Sequence, residues 1–106
     1  MDRIELKKIA ADVAAYAGKT VGVAGWIKTV RDSKAFGFIE LSDGSCFKNL
    51  QIVFEADKLP NYKDVTRYNV GSAITVTGQV ILTPEAKQPY EIHASEIVLE
   101  GASTPD

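Results

Sequence analysis

The side chains best suited to chemistry in this chain are aromatic, amide and carboxylate groups placed at alternating positions. Phe36, Phe38 and Glu40 are two residues apart, while Ile39 and Leu41 fall between and after them. In a β-strand, alternate side chains share a face, so Ile39 and Leu41 read as core and the two Phe and Glu40 as outer surface. Large apolar rings left in water call for a reason. One reason is a platform on which flat aromatic ligands such as bases stack, worth roughly 1–3 kcal/mol per base. The other is that a ring tucks under a loop or the N-terminal helix, and periodicity leaves both open for each Phe. The next strand divides in the same way: Leu50, Ile52 and Phe54 inward, Asn49 and Gln51 outward. An amide carries donor and acceptor together and can complement a uracil edge, although a solvated Gln is the commoner case. In the last strand Glu91 and His93 lie opposite Ile92 and Ala94. A carboxylate only accepts, which suits the adjacent N1–H and N2–H of guanine, but surface Glu is commonplace. His93 has no evident partner that would make it a ligand or a catalyst.

Cations gather loosely around the same region, as Lys28, Arg31, Lys34, Lys48 and Lys87. Phosphate contacts are one use for them, and a plain solvated edge is the other. The 106 residues carry a formal net charge of -2. Affinity for nucleic acid rests largely on neutralising phosphates, so an acidic domain is expected to bind RNA weakly alone. That suits one module of a larger RNA-binding protein. Other chemistries fit worse. A single cysteine, Cys46, and a single histidine exclude an internal disulfide and make a structural metal improbable. Gly18-Lys19-Thr20 echoes the end of a phosphate-binding loop, but Val13 stands where its first Gly belongs. No GxSxG elbow accompanies Cys46 and His93. No apolar run reaches the roughly 18 residues of a membrane span, and no signal peptide opens the chain, so a cytoplasmic location is expected.

The elements that must position these residues follow from period and punctuation. Asp2 and Glu5 have capping-box spacing, and Leu6, Ile9, Val13 and Tyr16 make one apolar stripe, which predicts a helix over about 3–16 ended by Gly18. From Val21 to about Val30 the period is two, with Gly25 marking a bulge or bend, and 31–34 form a turn. Further strands are expected over Phe36–Ser42, Phe47–Phe54, Ala73–Thr83 and Tyr90–Leu99, with Asp43-Gly44 as a hairpin signal. Between the third and fourth, Asn61 can cap a short helix bearing Tyr62, Val65 and Tyr68, ended by Gly71. Ile74, Val76, Val80 and Leu82 make the inner face of the fourth strand. Residues 84–89 read as a loop and 101–106 as a frayed tail. The expectation is one all-β domain with accessory helices: a helix over 1–18 and a five-stranded barrel over 19–100. Five strands with a helix between the third and fourth is the order of the OB-fold, whose second and third strands bind oligonucleotides and oligosaccharides. An open sheet is the competitor, and the Gly25 bend favours closure.

Several separated segments then resemble a known family. They are Gly25-Trp26-Ile27-Lys28-Thr29-Val30-Arg31-Asp32-Ser33-Lys34, Phe36-Gly37-Phe38-Ile39-Glu40-Leu41, Asp43-Gly44-Ser45, Leu50-Gln51-Ile52-Val53-Phe54, and the stretch from Leu82 to Ile92. In order and spacing they resemble the anticodon-binding domain of class IIb aminoacyl-tRNA synthetases, most closely the asparagine branch. The match runs from about Val21 to Ser103. The resemblance implies that Phe38 stacks on the central anticodon base, a uracil, and that Gln51 hydrogen-bonds it. It implies that Arg31 contacts the anticodon loop nearby and that Glu91 receives the first base, guanine or its modified form. Lys28, Lys34, Lys48 and Lys87 are the candidate phosphate contacts. Phe36 has no role in the family to inherit, so for it the packing reading leads.

The family's catalytic domain would follow, with 101–106 as the start of the linker to it. The 106 residues are therefore expected to have no catalysis and no cofactor of their own. The resemblance implies a parent asparagine–tRNA ligase that uses ATP and magnesium as a homodimer, with tRNA and the catalytic domain as partners and no membrane. The expected function is recognition of the GUU anticodon of asparagine tRNA. The alternatives are the aspartate-specific relative, a generic single-stranded nucleic-acid binder, and a scaffold whose same face binds protein or sugar. A generic binder should show a wide basic groove, which the acidic balance argues against. Arg31, Phe38, Gln51 and Glu91 together argue against a redesigned face.

Overall fold

A computed structural model describes residues 3–45, 49–83 and 90–102. Its elements are α1 (Leu6–Ala11), α2 (Val13–Tyr16), β1 (Thr20–Asp32), β2 (Phe36–Ser42), β3 (Leu50–Glu55), α3 (Tyr62–Val65), β4 (Ala73–Leu82) and β5 (Tyr90–Gly101). The strands close a barrel in the order β1-β2-β3-β5-β4. Every neighbouring pair is antiparallel except β3 with β5. A closed five-stranded barrel with a helix between its third and fourth strands is the OB-fold. No helix among the described residues is long and apolar enough to cross a membrane.

Alternation builds the core as the sequence implies. Ile39 and Leu41 of β2, Leu50, Ile52 and Phe54 of β3, and Ile74, Val76 and Val80 of β4 are all buried. Leu82 departs from its set: it is the last residue of β4 and 49% exposed, where the strand has run past the packed core. Gly37, between the two Phe of β2, faces inward beneath the ring of Phe54. A Cβ there would sit 2.2 Å from Phe54 Cζ. That ring in turn packs against Tyr62 of α3, with centroids 5.3 Å apart.

Three local expectations are corrected. The N-terminal helix is two short ones, interrupted at Asp12 with φ -148° and ψ 63°. The apolar stripe survives the interruption, because Leu6 and Ile9 are buried and Val13 and Tyr16 pack on the core. Its cap is not the local one. Asp2 lies outside the described residues, and Glu5, at the N-cap position, makes no side-chain cap hydrogen bond. Instead Leu6 N–H donates to Asp43 Oδ2 at 2.8 Å and Lys7 N–H to Ser45 Oγ at 3.1 Å, both from the segment after β2. Asn61 likewise does not cap α3; its Nδ2 donates to the Ile97 carbonyl at 3.0 Å and ties the helix to β5.

The third correction concerns β1 and decides the site. Gly25 is a close approach, since a Cβ there would lie 2.4 Å from the Ser42 carbonyl oxygen. The extra residue is Lys28, where the register passes from Ile27↔Leu41 to Thr29↔Glu40. A bulge adds one residue to one strand and so shifts the alternation by one. Ile27 is buried and Val30 packs on the core, although they lie three positions apart. As a result, Arg31 falls on the outer face.

Candidate nucleic-acid interface

Strand register arranges the outward residues in two rows across β1, β2, β3, β5 and β4. The first follows the Cα partners Arg31↔Phe38, Phe38↔Val53, Val53↔His93 and His93↔Gln79. The second follows Thr29↔Glu40 and Glu40↔Gln51, and resumes at Glu91↔Ile81. Because β3 and β5 run parallel with Ile52 beside Ile92, Gln51 stands next to Glu91 one step back. Arg31, Phe38, Gln51 and Glu91, separated by as many as 60 positions in the chain, therefore share one continuous surface.

Phe38 is half-buried at the centre. The Arg31 guanidinium lies over its ring, 6.0 Å from the centroid, at the limit of cation–π range. Val53, outward by register, is only 8% exposed and makes an apolar floor beside the ring. A ring with a cation over one edge and an apolar floor at the other is a surface on which a base can stack. Phe36, expected to pack, is instead 44% exposed at the start of β2. Glu40, opposite Gln51, accepts a long hydrogen bond from Asn49 Nδ2 at 3.4 Å.

The turn that follows Arg31 is held by Asp32. Its Oδ1 accepts from Lys34 N–H at 2.8 Å and from the Tyr62 hydroxyl at 2.6 Å. Those two hydrogen bonds, Tyr62 first, hold the Asp32 carboxyl below its ordinary range. Burial, reinforced by the Asp32 hydrogen bond and charge, pushes the Tyr62 hydroxyl up to about 12. Lys34 adopts a left-handed φ of 72°, uncommon for a residue with a side chain, and the Asp32 contact supports it. The turn is thereby locked to α3, with Arg31 at its base. The sequence carries one local signal for this turn, since Asp two positions before Lys34 is the spacing of an Asx turn.

At the far side of the face, His93 Nε2 and Glu91 Oε2 are 2.6 Å apart. The contact is a hydrogen bond in the imidazole tautomer that carries its proton on Nε2, with the carboxylate as acceptor. The expectation that His93 has no partner is corrected: residues two apart on a strand point the same way and meet. Among the cations, Lys28 and Lys34 are exposed at the bulge and the turn. Lys48 and Lys87 lie outside the described residues. A concavity of about 250 Å³ lies elsewhere, lined by Arg3, Trp26, Asp43 and Glu100 among others, and it shares no residue with either row. A base stacks on an open sheet, so the rows, and not that hollow, are the candidate interface.

Residues 21–100 match the family of OB-fold nucleic acid binding domains. This chain belongs to that family. Its barrel is also similar to parts of longer proteins. It is 58% identical over 101 residues to an asparagine–tRNA ligase of Acetivibrio thermocellus, covering 95% of this chain and 22% of that protein. Among solved structures it resembles asparaginyl-tRNA synthetase from Pyrococcus horikoshii complexed with asparaginyl-adenylate. There the TM-score is 0.83 at 18% identity, over 98% of this chain and 23% of the other. It resembles aspartyl-tRNA synthetase from Entamoeba histolytica as well, with TM-score 0.85 at 19% identity, over the whole chain and 23% of the other. At these identities the structural likenesses speak for the fold. The OB-fold nucleic acid binding domain described here thus spans under a quarter of each of these proteins.

Proposed function

We propose that this domain reads the anticodon loop of asparagine tRNA, with sequence GUU, as the RNA-recognition module of an asparagine–tRNA ligase. The observation that carries the reading is the shared surface of Arg31, Phe38, Gln51 and Glu91, set by register across four strands. On it, Phe38 offers the stacking ring for the central uracil, and the Gln51 amide offers a donor and an acceptor to that base's edge. Glu91, beside Gln51, offers acceptors to the N1–H and N2–H of guanine in the first position. Arg31, Lys28 and Lys34 stand at the β1 edge, where phosphates and the loop backbone would pass. The similarity to asparagine–tRNA ligases over 95% of the chain supports the choice of amino acid. The whole protein then attaches asparagine to tRNA in the cytoplasm with ATP and magnesium, as a homodimer, and that chemistry belongs to residues beyond these 106.

The test is a low-salt titration of the domain with anticodon stem-loops bearing GUU, GAA and a scrambled loop. Weak, salt-sensitive binding that prefers GUU is expected; equal affinity for the three loops overturns the reading. Phe38→Ala is expected to lose roughly 1–3 kcal/mol of binding with an unchanged circular dichroism spectrum.

A further inference from the structure

We propose that His93 is a positioning residue for discrimination of the first base, acting through Glu91. The inference rests on the reading of Glu91 given above and adds to it the group that aims the carboxylate. Glu91 has three rotatable side-chain bonds; its Cα partner on β4, Ile81, offers no hydrogen-bond donor, and the Gln51 amide beside it on β3 is given to the central base in the reading above. An unrestrained carboxylate there would sweep many orientations, of which few present acceptors to the adjacent N1–H and N2–H of guanine. His93 Nε2–H removes that freedom by donating to Oε2 at 2.6 Å. An oxygen of a carboxylate has two lone pairs, so Oε2 held by His93 still accepts from a base, while Oε1 stays open to a second donor.

His93 is itself suited to the task. Its Cα partner Val53 is nearly buried between it and Phe38, so the imidazole rises from a firm floor in the row of the stacking ring. The Glu91 side chain is 21% exposed and that of His93 45%, so the pair is reachable from solvent without being part of the core. A group fixed before binding loses less freedom on binding, worth about three- to tenfold in affinity for one ordered side chain.

Four proteins test this: the unaltered domain, Glu91→Gln, His93→Ala and His93→Gln, each titrated with stem-loops bearing GUU and AUU. Gln places an amide N–H close to where His carries Nε2–H, so it is the rescuing substitution. His93→Ala is expected to weaken GUU binding about three- to tenfold, leave AUU unchanged and leave thermal stability unchanged; His93→Gln restores most of the loss. If Glu91→Gln keeps the preference for GUU over AUU, the reading of Glu91 fails and this inference with it. If Glu91→Gln collapses the preference but His93→Ala does not, the inference alone is wrong. Equal weakening of both loops by His93→Ala would make His93 a general RNA contact, and tighter GUU binding would make it a competitor; either overturns the positioning role.

Discussion

The two ends of β2 are each organised by an aspartate, and they do different work. Before the strand, Asp32 accepts from Lys34 N–H and the Tyr62 hydroxyl. After it, Asp43 accepts from Leu6 N–H at 2.8 Å, Ser45 N–H at 2.9 Å and Ser45 Oγ–H at 2.6 Å. Both carboxylates answer backbone donors left over by a turn or a helix start. Asp43 spends its contacts on joining α1 to the barrel, at the end remote from Phe38. Asp32 uses its contacts to fix Lys34 and to tie the turn beside Arg31 to α3. The same side chain in the same kind of turn thus serves the fold at one end and the proposed recognition surface at the other. What separates the two roles is the neighbour each carboxylate restrains.

Substitutions at the two ends should separate accordingly. The largest effect is expected from Gly37→Ala, beside the Asp32 end, because the new methyl meets the fully buried Phe54 ring, which has nowhere to retreat. A loss of about 1–3 kcal/mol in chemical denaturation is expected, together with weakened GUU binding as the adjacent Phe38 shifts. Asp43→Ala should cost about 1 kcal/mol, the usual value of a lost helix cap, and leave the preference among stem-loops intact. A change of preference in that variant would dissolve the contrast between the ends.

Acid sharpens the same point. Burial raises the Asp43 carboxyl, but the hydrogen bonds from Ser45 and Leu6 outweigh it and hold the group below its ordinary value of 3.8. A depressed native value means stability that is full above 3.8 and drains away as pH falls through the lower value. A stability profile of Asp43→Ala should therefore flatten in that acid window.

Tyr62→Phe, at the other end, should cost much the same as the lost cap, about 0.5–1.5 kcal/mol for one hydrogen bond. Its signature is alkaline. The hydroxyl titrates at about 12 in the folded protein against an ordinary 10.0, so its contribution is whole below 10.0 and lost as pH climbs through about 12. The Phe variant should lack that limb, and tyrosinate absorbance should lose the component that titrates at about 12. If Tyr62→Phe leaves GUU binding untouched, the turn does not need its anchor and Asp32 serves the fold as well.

The barrel was legible because burial alternates along β2 and most of β4, and that period is written locally. The inward and outward sets of β2 and β3 could be drawn from Ile39, Leu41, Ile52 and Gln51 without any contact being known. What escaped the sequence depends on residues far apart in it. Asp43 caps a helix whose first amide lies 37 positions earlier, and Tyr62 restrains an aspartate 30 positions away. No local pattern encodes either. Gly25 signals a bulge or a bend, but the bulge, with its register shift, falls at Lys28 and Gly25 is a close approach of β1 to Ser42. Without that bulge Arg31 would face inward. For the site, then, the residue types were visible, and the two rows that assemble them were not. The Glu91–His93 pair was within reach, since two residues of one strand face share a side by rule.

Closure of the barrel depends on β5, the last strand to be made, which joins β4 on one side and β3 on the other. Ile52 and Ile92 must find one another across a loop of some 40 residues, and such non-local pairings put folding in the range of roughly milliseconds to seconds. Glu91 and His93 ride on that same strand. A chain emerging from the ribosome can thus display Phe38 and Gln51 before it can display the acceptor beside them. Under the proposed reading of Glu91, recognition of a first-position guanine needs the ring of strands to be shut, which would make discrimination between loops a sensor of completed folding.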